Sequence, residues 1–313
     1  MTKVCVLKGG RSLERQVSLR SGARVEDALE RLGHHVCGID VGPGLVRELR
    51  ELAPDVCFVA LHGRDGEDGT VQELLEVLGL PYTGSGVSGC IRSADKVLAK
   101  HEMLDAGLPT PDFVSFTETA FKELGASEAL AAIEERLAFP LVVKPADQGS
   151  AFGIRYAEDA AAVPGALVAA FSYSRKVLLE RHVEGRDLAV SILGDEALPI
   201  VEAVPIDSRY DFEARYEIGR TEFVCPADLG GDVTARAQEL ALAVHRRLGC
   251  RDVSRVDLLL EEATGELTVL EANVVPGMTA TSLLPQAADA AGLGFDEMVG
   301  RLVELALGRH AAA

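Results

Sequence analysis

Residues 254–273 read SRVDLLLEEATGELTVLEAN, two apolar-rich runs on either side of EEATGE, and this stretch decides the fold. Alternation within each run and the glycine between them predict an antiparallel strand pair. With the turn centred near Thr264, Asp257 falls opposite Glu271 and Arg255 opposite Asn273. Side chains alternate between the faces of a strand, so these four share one face, and Val256, Leu258, Leu260, Leu270 and Ala272 share the other. The second set suits a core. The first brings together two carboxylates and an amide oxygen without cysteine or histidine, the hard oxygen set that magnesium takes when it also binds phosphates. A solvated, salt-bridged strand face has the same composition, and a slip of one residue in register would separate the pairs.

Just downstream, residues 273–285 read NVVPGMTATSLLP. Pro276-Gly277 exposes backbone amides, and Ser282 stands where a helix could begin. A helix N-terminus with free amides binds carboxylates and oxyanions, although Thr281 or Ser282 can equally serve as an N-cap. Upstream, Lys144 ends the apolar run FPLVVK and is followed by Pro145 and the loop GSAFG. That position can hold phosphate beside backbone amides. Lys96 lies on a predicted helix, and Arg215 lies in the tyrosine-rich stretch SRYDFEARYEIG. Lysines beside an oxygen-rich metal face suit nucleoside triphosphate chemistry without G-x-x-x-x-G-K-[ST], which is absent.

The rest of the chain divides into three segments, 1–88, 89–180 and 181–313. In the first, KVCVL, a helix over 18–32, HVCGID, a short helix and DVCFVAL alternate, which predicts a parallel sheet with covering helices. Its glycine-rich, charged loops, GGRSLERQVS and HGRDGEDG, come after strand ends, where such sheets bind ligands. The second opens with a single helix, SADKVLAKHEMLDAG, in which Ser93 and Lys96 make less than a full capping box. It continues with a helix over 127–137 and a hairpin of FPLVVK with GIRYA. The third carries LAVSIL, LPIVEAV, a four-turn helix in TARAQELALAVHRRLG, the strand pair and two terminal helices. GSGVSG (84–89) matches G-x-G-x-x-G outside its strand-helix context and is set aside. Asp65, Glu67 and Asp68 lack EF-hand spacing and are set aside as a calcium loop.

Composition narrows the class of protein. The 313 residues carry 31 Lys and Arg against 49 Asp and Glu, a net charge of −18, which disfavours broad binding to nucleic acid or anionic lipid. No apolar run approaches the roughly 20 residues of a membrane helix, and the first residues lack signal-peptide features. A cytoplasmic location is therefore expected. Six dispersed cysteines without a C-x-x-C pair predict reduced, buried thiols.

In order, GGRSLERQVSLRSG, LHGRDGEDGTVQ, YTGSGVSG with SADK, VVKPADQGSAFG, VLLERHVEGRD, YDFEARY, RVDLLL and LEANVVPGMTATSLLP resemble the D-alanine–D-alanine ligase family over almost the whole chain. The resemblance implies a mixed α/β, three-domain ATP-grasp fold with an N-terminal Rossmann-like parallel-sheet domain. It further implies ATP-dependent ligation of two D-alanines through an acylphosphate, for peptidoglycan precursors. By position, it implies that Lys96 and Lys144 hold ATP phosphates, with Arg215 where the family carries lysine. Glu180 and the backbone near His182 and Val183 would face the adenine, and Asp187 would take the ribose. Asp257, Glu271 and Asn273 would bind two magnesium (or manganese) ions. Glu14 would hold the first D-alanine's ammonium, His62 would sit near its carboxylate, and Ser150 and Tyr216 would complete a triad with Glu14. Arg255 and the Gly277 amide would stabilise the tetrahedral oxyanion, and Ser282 and Leu283 would receive the second carboxylate. The loops over 149–153 and 208–219 would close against water. A homodimer is also implied.

Departures from the family pattern are Ala151 for a serine, Arg215 for a lysine, Val274 for a threonine, and an unusual Lys8. None removes an implied metal ligand or triad member, so an active enzyme is expected. The resemblance implies that Tyr216 favours an amine acceptor over D-lactate, since the depsipeptide-forming relatives commonly carry phenylalanine there. Another acceptor, another ATP-grasp carboxylate–amine ligase, and a degenerate nucleotide-binding regulator remain as alternatives.

Overall fold

The computed structural model describes residues 1–125, 128, 130–205 and 221–311. Arg215, Tyr216 and the expected closing loop over 208–219 lie outside the described residues.

The first segment forms a parallel sheet in the order β2-β1-β3, from β1 (Lys3–Lys8), β2 (His35–Asp40) and β3 (Val56–Val59). Val4 to Leu7 in β1 and all of β3 are buried, as strands covered on both faces must be. Helix α1 spans Arg15–Arg31, starting one turn before its buried face, with Glu14 at the N-cap position and the Glu14 N–H donating to Ser12 Oγ at 3.2 Å in the loop before it. Its buried face begins with Ser18, Ser21 and Gly22. A Cβ at Gly22 would come within 2.6 Å of the Lys8 Cβ, so only glycine lets α1 approach β1 this closely. Ser18 Oγ accepts from Gly9 N at 2.8 Å and donates to Ala60 O at 2.7 Å, joining the carboxyl ends of β1 and β3. The unusual Lys8 is paired with Glu26 at 2.5 Å. Helices α2 (Leu45–Leu52) and α3 (Thr70–Leu78) complete this layer.

The helix expected over SADKVLAKHEMLDAG (93–107) does not run through its first residues: Ser93 and Ala94 end a separate helix, α4 (Val87–Ala94), and α5 (Lys96–Asp105) follows. Asp95 between them is extended, and its carboxylate accepts the N–H of Val97 at 2.9 Å and of Leu98 at 3.1 Å. Asp95, rather than Ser93, is therefore the N-cap, since a short acidic side chain competes with helical hydrogen bonding in α4 and caps the first turn of α5. The GSGVSG stretch serves packing. Gly84 N donates to Asp252 at 2.9 Å, and a Cβ at Gly89 would sit 2.5 Å from Gly249 O.

A four-stranded antiparallel sheet, β4-β7-β5-β6, is built from β4 (Phe113–Thr117), β5 (Leu141–Pro145), β6 (Arg155–Ala157) and β7 (Lys176–Arg181). The expected hairpin is present, with Leu141 opposite Ala157. Helices α6 (Glu118–Lys122), α7 (Leu130–Arg136) and α8 (Val163–Phe171) belong to the same stretch of chain, and α8 packs on the sheet over Leu141, Val143, Val177 and Leu179. Of the helix expected over 127–137, Ser127 lies outside the described residues.

The third sheet runs β11-β10-β8-β12-β13, with β9 paired to β8. Its strands are β8 (Arg186–Leu193), β9 (Glu196–Ala197), β10 (Val201–Pro205), β11 (Thr221–Val224), β12 (Val253–Glu261) and β13 (Glu266–Asn273). Helix α9 (Gly231–Leu248) ends at left-handed Gly249, as such helices commonly do, and α10 (Leu283–Ala290) and α11 (Phe295–Ala311) complete the chain. Cys90, Ala99 and Met103 of α4 and α5 share one core with Leu188 and Val190 of β8 and Val269 of β13. The loops that carry site residues thus rise from two sheets with a continuous interior. The cysteines are unpaired, and four of the six are buried.

Candidate active site

The register of β12 and β13 is Arg255 to Asn273 and Asp257 to Glu271, the pairing expected from the sequence. Immediately beyond, the register shifts, so Leu258 faces Val269. This bulge changes the side-chain parity. Leu270, expected on the core face, instead joins Glu271 at the wall of a cleft, while Val269 and Ala272 are buried. An extra residue in one strand re-aims its neighbours.

Lys96, Lys144, Asp187, Asp257, Leu270 and Glu271 are among the residues that line that cleft. Lys96 is placed by the Asp95 cap. Its ammonium donates to Gln148 O at 2.7 Å and lies 3.1 Å from Glu271. Burial opposes its charge, but Glu271 holds its pKa above the ordinary lysine value. Arg255 grips Asp257 with two parallel hydrogen bonds of 2.7 and 2.9 Å. The loop after β5 closes one side of the cleft with Phe152, whose ring stacks on Tyr173 at 6.2 Å. Ser150 and Ala151 both hold left-handed backbone (φ 51° and 57°), strained for residues with a Cβ.

A second cavity adjoins the first and shares Glu271 and Leu283 with it. Glu14, His62, Ser150, Arg255, Gly277 and Ser282 line it, as does Asn273. Ser150 Oγ donates to the Glu14 carboxylate. Burial pushes the Glu14 pKa up; the Ser150 hydrogen bond and Lys96 work against that rise, and Glu271 adds to it. His62 donates from Nδ1 to Val275 O at 3.0 Å and accepts at Nε2 from Ser21 Oγ at 2.8 Å. The Val275 carbonyl can only accept, so Nδ1 carries the proton and Nε2 of the neutral ring is the acceptor; Ser21 Oγ also accepts from Met278 N at 3.1 Å. Burial lowers the His62 pKa to about 4, so the ring is neutral. Both its nitrogens hold the wall, and the ring orients the 275–278 loop. A Cβ at Gly277 would lie 2.5 Å from Ser282 Oγ, so that close turn requires glycine. Ser282 occupies the N-cap position of α10, but its hydroxyl accepts from Thr279 N at 3.0 Å, leaving the helix's first amides without a side-chain cap. Such an N-terminus receives a carboxylate.

Some expected site residues stand elsewhere. Glu180 lies between Lys100 and Lys144 at 2.7 and 2.6 Å and is 2% exposed, behind the cleft wall. The N–H of His182 donates to Pro140 O at 2.9 Å, its ring meets Tyr156 edge-on, and Val183 is buried. None of the three is among the residues lining the cleft: Glu180, in β7, is held by its two lysines, and His182 and Val183 follow the strand's end. Val274 is 2% exposed and packs in the core, so this departure removes no polar contact from the cavity side.

Sequence reasoning misses Glu67, which it sets aside as part of a calcium loop. Glu67 lines the second cavity, and burial together with the charge of Glu14 raises its pKa to about 8. Its place in a glycine-rich loop after a parallel strand is the available signal; which of three acidic residues turns inward is not encoded in spacing. Lys100 is missed as well, because a lysine one turn from Lys96 reads as a solvated helix face.

A family model described as the D-ala D-ala ligase C-terminus matches residues 103–304, and one described as the D-ala D-ala ligase N-terminus matches residues 43–85. The chain is 43% identical over 308 residues to a D-alanine–D-alanine ligase of Moorella thermoacetica, covering 97% of this chain and 99% of that protein. It is 42% identical over 303 residues to the Geobacter sulfurreducens ligase, covering 96% and 93%. The solved structure of the Bacillus anthracis D-alanine–D-alanine ligase complexed with ATP superposes with a TM-score of 0.84 at 29% identity, covering 100% of this chain and 99% of that one. By model, identity and fold together, the chain belongs to the D-alanine–D-alanine ligase family.

Proposed function

We propose that this enzyme joins two D-alanines into D-alanyl-D-alanine with hydrolysis of ATP to ADP and phosphate, supplying a peptidoglycan precursor. The observation that carries this reading is the meeting of two cavities at Glu271 and Leu283, one lined by lysines and carboxylates, the other by Glu14, Arg255 and the uncapped end of α10. A phosphoryl donor in the first and an amino acid in the second would meet at that junction.

In this reading Lys96 and Lys144 neutralise phosphate charge. A carboxylate oxygen of the first D-alanine attacks the γ-phosphorus, its bond to ADP breaks, and an acylphosphate results. Glu14, oriented by Ser150, holds that substrate's ammonium. The α10 N-terminus with Ser282 and Leu283 holds the second D-alanine's carboxylate. The second substrate's amine, having lost a proton, attacks the acyl carbon. Arg255 and the Gly277 amide offset the oxyanion, and collapse expels phosphate. Water must be excluded, because an acylphosphate hydrolyses readily. Tyr216 and Arg215 complete the proposed set of site residues.

Asp257, Glu271 and Asn273 are suited to magnesium: their donors are all oxygen, the two carboxylates face each other across one strand pair, and they stand where phosphates would complete the coordination. When bound, the two ions would offset charge on the transferring phosphoryl group. A cytoplasmic homodimer completes the proposal; no helix among the described residues is long and apolar enough to cross a membrane.

The test is ADP release by purified protein with ATP, magnesium and D-alanine, with L-alanine, D-serine and D-lactate in parallel and products identified by mass. D-alanine-dependent ADP accompanied by the dipeptide is expected. ATP binding without D-alanine-dependent ADP would overturn the reading.

A further inference from the structure

Lys100 is the most deeply buried cation described, with no exposure, and it lines neither cavity. It sits one helical turn after Lys96 on α5. Its ammonium lies 2.7 Å from Glu180 Oε1, donates to Thr110 Oγ1 at 2.6 Å, and stands 5.1 Å from the centre of the Phe113 ring. Thr110 Oγ1 donates to Val269 O at 3.0 Å, two residues before Glu271 on β13. On the other side of Glu180, Lys144 approaches Oε2 at 2.6 Å and reaches the nucleotide cleft. The three groups form a row: Lys100, Glu180, Lys144.

The charge of that row matters more than any one pair. Two ammoniums and one carboxylate leave one positive charge, and the end that meets the cleft is Lys144. Without Lys100, Glu180 and Lys144 would form a neutral, buried pair, and the Lys144 side of the cleft would lose its net positive charge. Charge balance counts heavily in a desolvated setting.

We propose that Lys100 is a positioning residue for nucleotide binding: by sharing the Glu180 carboxylate from behind, it leaves Lys144 with an uncompensated charge facing the phosphates. The inference rests on the ATP-dependent reading above and assigns a role to a residue outside both cavities. Removing Lys100 still leaves Glu180 with a partner, so the fold should persist.

The experiment is titration of the full-length protein with ADP and with a non-hydrolysable ATP analogue, alongside KM values for ATP and D-alanine. Lys100→Met should weaken nucleotide binding by about tenfold or more, with the D-alanine KM little changed. Lys100→Arg should restore most of the affinity. The double variant Lys100→Met with Glu180→Gln, which returns the row to one positive charge, should recover binding relative to Lys100→Met alone; a merely structural role would make the double variant worse. Equal nucleotide affinity of wild type and Lys100→Met, or a further loss in a folded double variant, would overturn the inference alone. A wild-type protein that binds neither nucleotide would overturn it together with the ligase reading.

Discussion

Glu271 touches more of the proposed chemistry than any other residue: it faces Asp257 across the strand pair, pairs with Lys96, and borders both cavities. Glu271→Gln keeps the shape and removes the charge. Turnover should fall by at least about 100-fold, the range seen when a preorganised electrostatic group is lost. Because the side chain is only half-buried, the thermal midpoint should stay near the wild-type value, and both are read from steady-state ADP release and a melting curve. Full activity in the variant would remove Glu271 from the metal and phosphate machinery. Glu67 shows the limit of single-residue reading. Its carboxyl lines the second cavity beside Glu14, yet the sequence offers three acidic residues within four positions and no period to choose between them.

At the scale of elements, the break between α4 and α5 is what points Lys96 at the cleft. Asp95→Ala removes the acceptor for two amides and should cost about 1 kcal/mol of stability, whereas Asp95→Asn, which caps equally well, should cost far less. Denaturant midpoints for the two variants check this, and the alanine variant should also raise the ATP KM through a displaced Lys96. Helix α9 carries a second testable device. His245 donates or accepts at Nδ1 with Ser254 Oγ of β12 at 2.7 Å, and burial lowers its pKa to about 4. Between pH 6.5 and 4 the unfolded chain binds a proton at this position that the folded chain refuses, so stability falls as pH falls through that window. His245→Gln should therefore lose less stability than wild type between pH 6.5 and 4, as measured by urea unfolding at several pH values. Identical slopes would show that the ring is protonated in the folded state.

Across the whole molecule, the C-terminal helix fastens the first segment to the third. Arg309 of α11 bonds the buried carboxylate of Asp252 and donates to Tyr82 O at 2.9 Å, while Asp252 also accepts from Gly84 N. Arg309→Met leaves Asp252 with a single amide donor and should destabilise the protein by about 2 kcal/mol, the scale of a charge-assisted hydrogen bond. Asp252→Asn in that background should return part of the loss, which a pair of unfolding curves would show. Activity at low temperature should be little affected, since neither residue lines the proposed cavities.

The sequence by itself determined the local and periodic features. Alternation and the turn at EEATGE foretold a strand pair carrying Arg255, Asp257, Glu271 and Asn273 on one face, but the turn by itself pairs Glu261 with Glu266 and Leu258 with Val269, and Asp257 meets Glu271 only through the bulge beside Leu258. Strand and helix alternation likewise foretold the parallel first sheet, and motif order carried the family. The tertiary structure decided everything that depends on contacts between distant segments. The choice of Glu67 over Asp65 and Asp68 and the row of Lys100, Glu180 and Lys144 each join residues far apart in the chain, and the bulge that turns Leu270 outward leaves no mark in the alternation of either strand. Burial and charge partners, which set pKa values and direct side chains, exist only once those segments pack, and no spacing along one strand or helix records them.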